Sequence, residues 1–165
     1  FDALFGGVTV AGGYLLDVGR QRAIDQAPPS PLPPASLRGS ETILLVEDDA
    51  QVREMNRSLL QRNGYDVIDA GNGEEAIRAS ERVARRIHLL LTDVVMPQLS
   101  GCELAERLAP SRPGMRVLYV SGYAPDAIMQ YLIDPRLSLL QKPITPDALL
   151  RKVRAVLDSS ELASR

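Results

Sequence analysis

Five short apolar runs, Thr42–Val46, Tyr65–Ala70, Ile87–Thr92, Arg116–Val120 and Leu137–Leu140, alternate with stretches of helical period, and this alternation narrows the folds open to the chain. Runs this short and this apolar suit strands covered on both faces, so they read as a parallel sheet flanked by helices. The intervening stretches carry helix starts. Asp49 precedes Val52, Met55, Leu59 and Leu60; Asn72 has Glu75 three residues on; Ser100 has Glu103 three residues on. Pro125 and Pro146 fit first-turn positions, and after Pro146 the residues Leu149, Val153, Val156 and Leu157 line one helical stripe. The expected fold class is α/β, a (βα)5 doubly wound, five-stranded parallel sheet with strand order 2-1-3-4-5.

The same pass divides the chain. Residues 27–40 hold five of the 12 prolines and read as a Pro-rich linker of polyproline II character. Residues 1–26, broken by Gly6, Gly7, Gly12, Gly13 and Gly19, are expected to be a poorly ordered N-terminal segment or a remnant of an upstream domain. The folded domain is placed at 41–158 and a C-terminal tail at 159–165. A single cysteine, Cys102, and a single histidine, His88, argue against a disulfide framework and against zinc clusters, and point to a reducing, cytoplasmic setting. The net charge of −2 gives no case for direct nucleic-acid binding, and no run of apolar residues is long enough to span a bilayer, so no membrane contact by this fragment is expected.

In a parallel sheet with right-handed crossovers, the loops that follow the strands gather on one edge. The polar residues there are Glu47, Asp48 and Asp49 after the first strand, Asp93 at the third, Ser121 at the fourth and Lys142 at the fifth. With the first and third strands as neighbours, Asp48 and Asp93 face each other. Carboxylates so crowded repel unless a cation relieves them, and oxygen ligands without thiol or imidazole point to Mg²⁺. Lys142 offers a point charge for an anion and Ser121 a hydroxyl, which suits a phosphoryl group beside a metal; a carboxylate can itself be the nucleophile. Asp93 ends an otherwise apolar central run and is hard to explain structurally, whereas Asp49 reads more simply as a helix cap.

The segments Ile43-Leu44-Leu45-Val46-Glu47-Asp48-Asp49, Leu91-Thr92-Asp93-Val94-Val95-Met96-Pro97, Val120-Ser121-Gly122-Tyr123 and Gln141-Lys142-Pro143 resemble the receiver domain of two-component response regulators, over residues 41–158. The resemblance implies the flavodoxin-like receiver fold and a signalling domain, not a stand-alone enzyme, that takes a phosphoryl group from a phosphohistidine. It implies Asp93 as phosphoacceptor, Lys142 as the phosphate-pairing lysine and Ser121 as the switch hydroxyl. Mg²⁺ is then held by Asp48, Asp93 and the main-chain carbonyl of Val95, with Glu47 acting largely through water. The implied partner is a histidine kinase or histidine phosphotransfer domain, and a homodimer through the fourth helix, fifth strand and fifth helix is a further expectation. With a Pro-rich linker upstream and a short tail after Leu157, the arrangement is similar to the C-terminal receiver of a hybrid sensor histidine kinase. Two other readings remain: a pseudo-receiver that only binds protein, and a hydrolase using an aspartyl-phosphate, for which no insertion supplies a substrate-selecting cap.

Some residues carry plainer readings or depart from the family. Lys142 and Lys152 are the only lysines among 19 basic residues, so an ammonium at 142 stands out. Pro143 follows either a cis bond, as in the family, or an ordinary trans turn. His88 reads as structural, Cys102 as packing, and Arg82, Arg85 and Arg86 as cations favoured at a helix end. Leu139 and Ile144 stand where aromatic residues are frequent in receivers, and Tyr119 or Tyr123 beside Ser121 is a candidate substitute. Val95 and Tyr123 lie where the family admits attacking water; neither orients water well, so slow self-dephosphorylation is expected.

Overall fold

The structure is a computed structural model that describes residues 37–122 and 138–159, all within the compact unit Pro33–Arg165. Its strands are β1 (Thr42–Val46), β2 (Asp66–Ala70), β3 (Leu89–Asp93), β4 (Arg116–Ser121) and β5 (Ser138–Gln141). Its helices are α1 (Ala50–Arg62), α2 (Gly73–Arg82), α3 (Gly101–Leu108) and α4 (Pro146–Asp158). The sheet is parallel throughout, in the order β2-β1-β3-β4-β5, as the alternation of the sequence requires. The helix expected from Pro125 lies outside the described residues.

Each strand lies within a residue or two of its apolar run. The third begins later and ends later than expected, at Leu89 and Asp93, because its pairing with β1 starts at Ile43↔Leu89. Side chains alternate across the sheet and build a core on each face. Ile43, Leu45, Leu89, Leu91, Leu118 and Val120 pack with Leu60 of α1 and with Leu149, Leu150, Val153, Val156 and Leu157 of α4. On the other face Leu44, Val46, Leu90 and Tyr119 pack with Ala76 of α2 and with Leu104, Ala105 and Leu108 of α3.

The helix starts are chemical. Asp49 Oδ1 accepts the N–H groups of Gln51 and Val52, at 2.8 and 3.1 Å, which is the cap read from the sequence. Ser100 and Glu103 form a reciprocal capping box, and Thr145 caps α4 with Pro146 in its first turn. Asn72 caps α2, but Glu75 turns its carboxylate to the N–H of Gly71.

Two features depart from the pattern. The helical period puts Met55 on the apolar stripe of α1, yet it is 57% exposed, because it lies at the rim of that stripe beside the groove between α1 and the start of α4. Leu37, at the end of the Pro-rich tract, is buried in the α1/α4 core, and its carbonyl accepts the Tyr65 hydroxyl at 3.0 Å. Beside it, Arg154 of α4 donates through both terminal nitrogens to the Glu41 carboxylate just before β1.

Gly101 is where α3 meets the end of β3. Its N–H bonds to the Val94 carbonyl at 3.0 Å, and a Cβ there would collide with the main-chain oxygen of Asp93. Gly122, by contrast, has open space around that position. Gly101→Ala is therefore expected to destabilise the domain by about 1–3 kcal/mol through overpacking against backbone, with Gly122→Ala close to neutral. Urea melts of the two variants check this; equal midpoints would contradict it.

Candidate functional site

The topology decides which strand ends meet. Because β1 lies between β2 and β3, Glu47 and Asp48 emerge beside Asp93, one step beyond the Val46↔Thr92 pair. Alternation places Glu47 above Leu45 and Asp93 above Leu91, on the α1/α4 face of the sheet. Carboxylate oxygens of Glu47, Asp48 and Asp93 all lie within 4.8 Å of one another. Lys142, in the loop after β5, donates its ammonium to Asp93 Oδ2 at 2.8 Å and to Glu47 Oε2 at 3.4 Å. Its own N–H bonds to the Ser121 carbonyl at 2.7 Å, tying the ends of β4 and β5, and the Lys142–Pro143 bond is cis.

Burial and charge oppose each other here. Glu47 and Asp93 are only 4% and 9% exposed, whereas Asp48 is open to solvent. Desolvation pushes the Asp93 carboxyl above its ordinary range and outweighs the hydrogen bond and charge of Lys142, while the neighbouring Asp48 adds to the rise. Glu47 is raised by burial and then by the charge of Asp93. Burial pulls the Lys142 ammonium down, but its hydrogen bond to Asp93 and the fields of both acids outweigh that and hold it above its usual value. Among the described residues one ammonium thus contacts two of the three clustered carboxylates, a balance that a divalent cation would redress. The donor set is entirely oxygen, which fits Mg²⁺.

The site opens through a cleft of about 510 Å³ lined by Glu47, Val52, Met55, Asn56, Gly122, Lys142, Pro143 and Ile144. Val95, two residues past Asp93, is 64% exposed; with Met55 it is one of the two large apolar side chains exposed among the described residues. Ser121 is buried at the end of β4.

Other residues singled out in the sequence lie apart. His88 accepts the Thr42 N–H through Nδ1 at 3.0 Å, at the opposite edge of the sheet, in keeping with a structural role. Cys102 is half-buried against Tyr119, and burial pushes its thiol up. Tyr119 is 3% exposed in the α2/α3 core, on the face away from Asp93, and Leu139, at the position where aromatics are frequent, packs against that same core. Tyr123 lies outside the described residues. Arg85 pairs with Asp66 of β2 at 2.6 Å.

One residue of the site does not stand out in the sequence. Arg53, on α1, donates to the main-chain carbonyl of Glu47 at 2.6 Å. Its spacing of four from the cap Asp49 is legible; its target, a main-chain oxygen, is not.

The description "Response regulator receiver domain" matches residues 43–154 as a family model. The chain belongs to this receiver family. It is 36% identical over 126 residues to the sensor kinase CckA of Brucella abortus, across 76% of this chain and 13% of that protein. It is 34% identical over 117 residues to the response regulator receiver protein CpdR of the same organism, covering 70% of this chain and 95% of that one. Among solved structures, the receiver domain of the hybrid histidine kinase CckA superposes with a TM-score of 0.61 at 33% identity, over 71% of this chain and 99% of that one. The chain therefore spans a small part of one relative and nearly the whole of another, and what they share is a receiver of two-component signalling. No helix among the described residues is long and apolar enough to cross a membrane.

The raised carboxylates set a pH dependence. A carboxyl whose pKa rises on folding holds its proton more tightly in the folded state, so its contribution is present at low pH and is lost as pH climbs through the raised value. In chelator, Asp93→Asn is therefore expected to melt above the wild type at neutral pH, by about 4 °C for a difference on the order of 1 kcal/mol. The gap should close below the ordinary aspartate pKa of about 3.9. Melting curves from acid to neutral pH check it; a gap that is constant with pH, or reversed, contradicts the account.

Proposed function

We propose that this receiver is a phosphoacceptor: Asp93 takes a phosphoryl group from a phosphohistidine on a histidine kinase or histidine phosphotransfer domain. The observation that carries the reading is the 2.8 Å contact of Lys142 with Asp93 inside the cluster formed with Glu47 and Asp48. An Asp93 carboxylate oxygen attacks phosphorus as the P–N bond breaks, and the imidazole leaves to take up a proton. Lys142 swings its ammonium from the carboxylate to the phosphoryl oxygens, staying within reach of both. Asp48, Asp93 and the Val95 carbonyl, with Glu47 acting through water, would hold Mg²⁺, which when bound would supply charge neutralisation at those oxygens. Ser121 then hydrogen-bonds the new phosphate.

The change of charge at Asp93 shifts the faces that partners read, including β5 and α4. Leu139, half-buried beside Tyr119 in the sheet register, brings no aromatic hydroxyl to that response. The likeness to a sensor kinase supports a parent chain of the hybrid histidine kinase type, in the cytoplasm, and a homodimer through the helix expected from Pro125, β5 and α4 belongs to the same proposal.

Incubation with acetyl phosphate and Mg²⁺ is expected to add one phosphoryl group, read by intact mass, and Asp93→Asn and omission of Mg²⁺ should each abolish it. Lys142→Met should slow labelling by at least tenfold, the scale of a lost electrostatic clamp. A pseudo-receiver would remain unlabelled in every arm, and that result sinks the proposal.

The lifetime of the mark follows from the mouth of the site. Val95 presents an exposed apolar side chain that does not orient water. Val95→Asn is expected to shorten the half-life of phospho-Asp93 severalfold at equal Mg²⁺, followed by mass spectrometry; an unchanged half-life means that this side chain does not govern water access.

A further inference from the structure

Where β1 gives way to α1, the chain passes through Glu47, Asp48 and Asp49, and the main-chain bonds of this turn are unevenly shared. The N–H of Glu47 extends the ladder to Ala70 at 3.2 Å, and the first helical bond of α1 begins with the carbonyl of Asp49, which accepts Arg53 N–H at 2.9 Å. Among the described residues no main-chain donor from sheet or helix reaches the Glu47 carbonyl; it is served by the Arg53 guanidinium at 2.6 Å.

That guanidinium is itself held. Its Nε lies 3.5 Å from the Asp69 carboxylate on β2, and it rests over Gly71, where even a Cβ would come within 3.2 Å of its terminal nitrogen. Lys142 is the cation that bonds the carboxylates of Glu47 and Asp93, whereas Arg53 bonds the main chain of Glu47. What Arg53 acts on is the peptide plane. Rotation of the Glu47–Asp48 peptide would carry one carboxylate away from the cluster, and mutual repulsion of the acids favours that rotation when no cation is bound.

We infer that Arg53 is a positioning residue for the cation site: by holding the Glu47 carbonyl against α1 and β2 it keeps the Glu47 and Asp48 carboxylates converged on Asp93 before a cation arrives. The inference rests on the metal-binding reading above and adds to it a residue outside the acidic set. Its sign is distinctive. Removing a cation near an acidic site would by charge alone strengthen Mg²⁺ binding, whereas loss of the clamp weakens it.

Calorimetric titration of the full chain with Mg²⁺ tests this, alongside melting in chelator and in Mg²⁺. Arg53→Met is expected to bind Mg²⁺ roughly tenfold more weakly, the low end for loss of a group that orients metal ligands. It should also lose part of the Mg²⁺-induced rise in melting temperature. Asp69→Asn, which removes the ion pair and leaves the carbonyl bond, is expected to bind as wild type. Unchanged or tighter binding by Arg53→Met overturns the inference, and equal losses in both variants assign the effect to the ion pair and overturn it too. If Arg53→Met does not fold, Arg53→Ala carries the test: it too removes the donor to the Glu47 carbonyl, and wild-type affinity in it overturns the clamp. A wild type that takes up no Mg²⁺ is a separate outcome and overturns the metal-site reading beneath.

Discussion

Mutual repulsion among Glu47, Asp48 and Asp93 is the constraint around which the carboxyl edge of this domain is arranged. Like charges held within 4.8 Å, two of them nearly buried, are costly in any fold. Each neighbour addresses that cost differently. Lys142 supplies the opposing charge, Arg53 restrains the peptide between the first two acids, and Asp49 spends its carboxylate on the first turn of α1. The result is a pocket whose carboxylates outnumber the one ammonium that contacts them among the described residues.

The apolar framework makes that concentration of charge tolerable. The central strands β1 and β3 are buried along their length, and a one-residue slip of either would turn Leu44 and Leu45, or Leu90 and Leu91, to the wrong face, so the acids at their ends have fixed positions. Gly101 lets α3 start directly against the Asp93 backbone, which holds the end of β3 from the other side. At the opposite edge the domain is closed by a different set of contacts. Arg154 joins Glu41 to the end of α4, Arg116 reaches the last carbonyls of α4, and Leu37 is buried beside them.

The interior between β4 and β5 departs from the pattern frequent among receivers. Leu139 is aliphatic, and Tyr119, the aromatic nearest to it in register, lies in the α2/α3 core beside Cys102. Its ring is buried on the face away from Asp93, so the position frequent for an aromatic in receivers is aliphatic here. Of the exposed apolar residues, Met55 lines the cleft that opens at the acids and Val95 lies two residues past Asp93.

Much of this was legible in the linear chain because it follows from local rules. Period and run length specified five strands and the four described helices, the Ser100 and Asp49 caps were written in residue type and spacing, and the parallel topology brought Glu47, Asp48, Asp93, Ser121 and Lys142 to one edge. The features it did not reveal depend on contacts between segments far apart in sequence or on a main-chain atom. Met55 obeys the helical period yet faces outward, since only the position of α4 decides where the stripe ends. Tyr119, two residues before Ser121, shares its face of the strand by alternation, yet the helices packed on that face bury its ring in the α2/α3 core. Leu37 belongs by composition to a linker and is buried because Tyr65, α1 and α4 leave a place for it. Arg53 was invisible for the plainest reason: residue types announce side-chain chemistry, whereas its partner is a backbone carbonyl whose direction exists only once β1, β2 and α1 have been assembled.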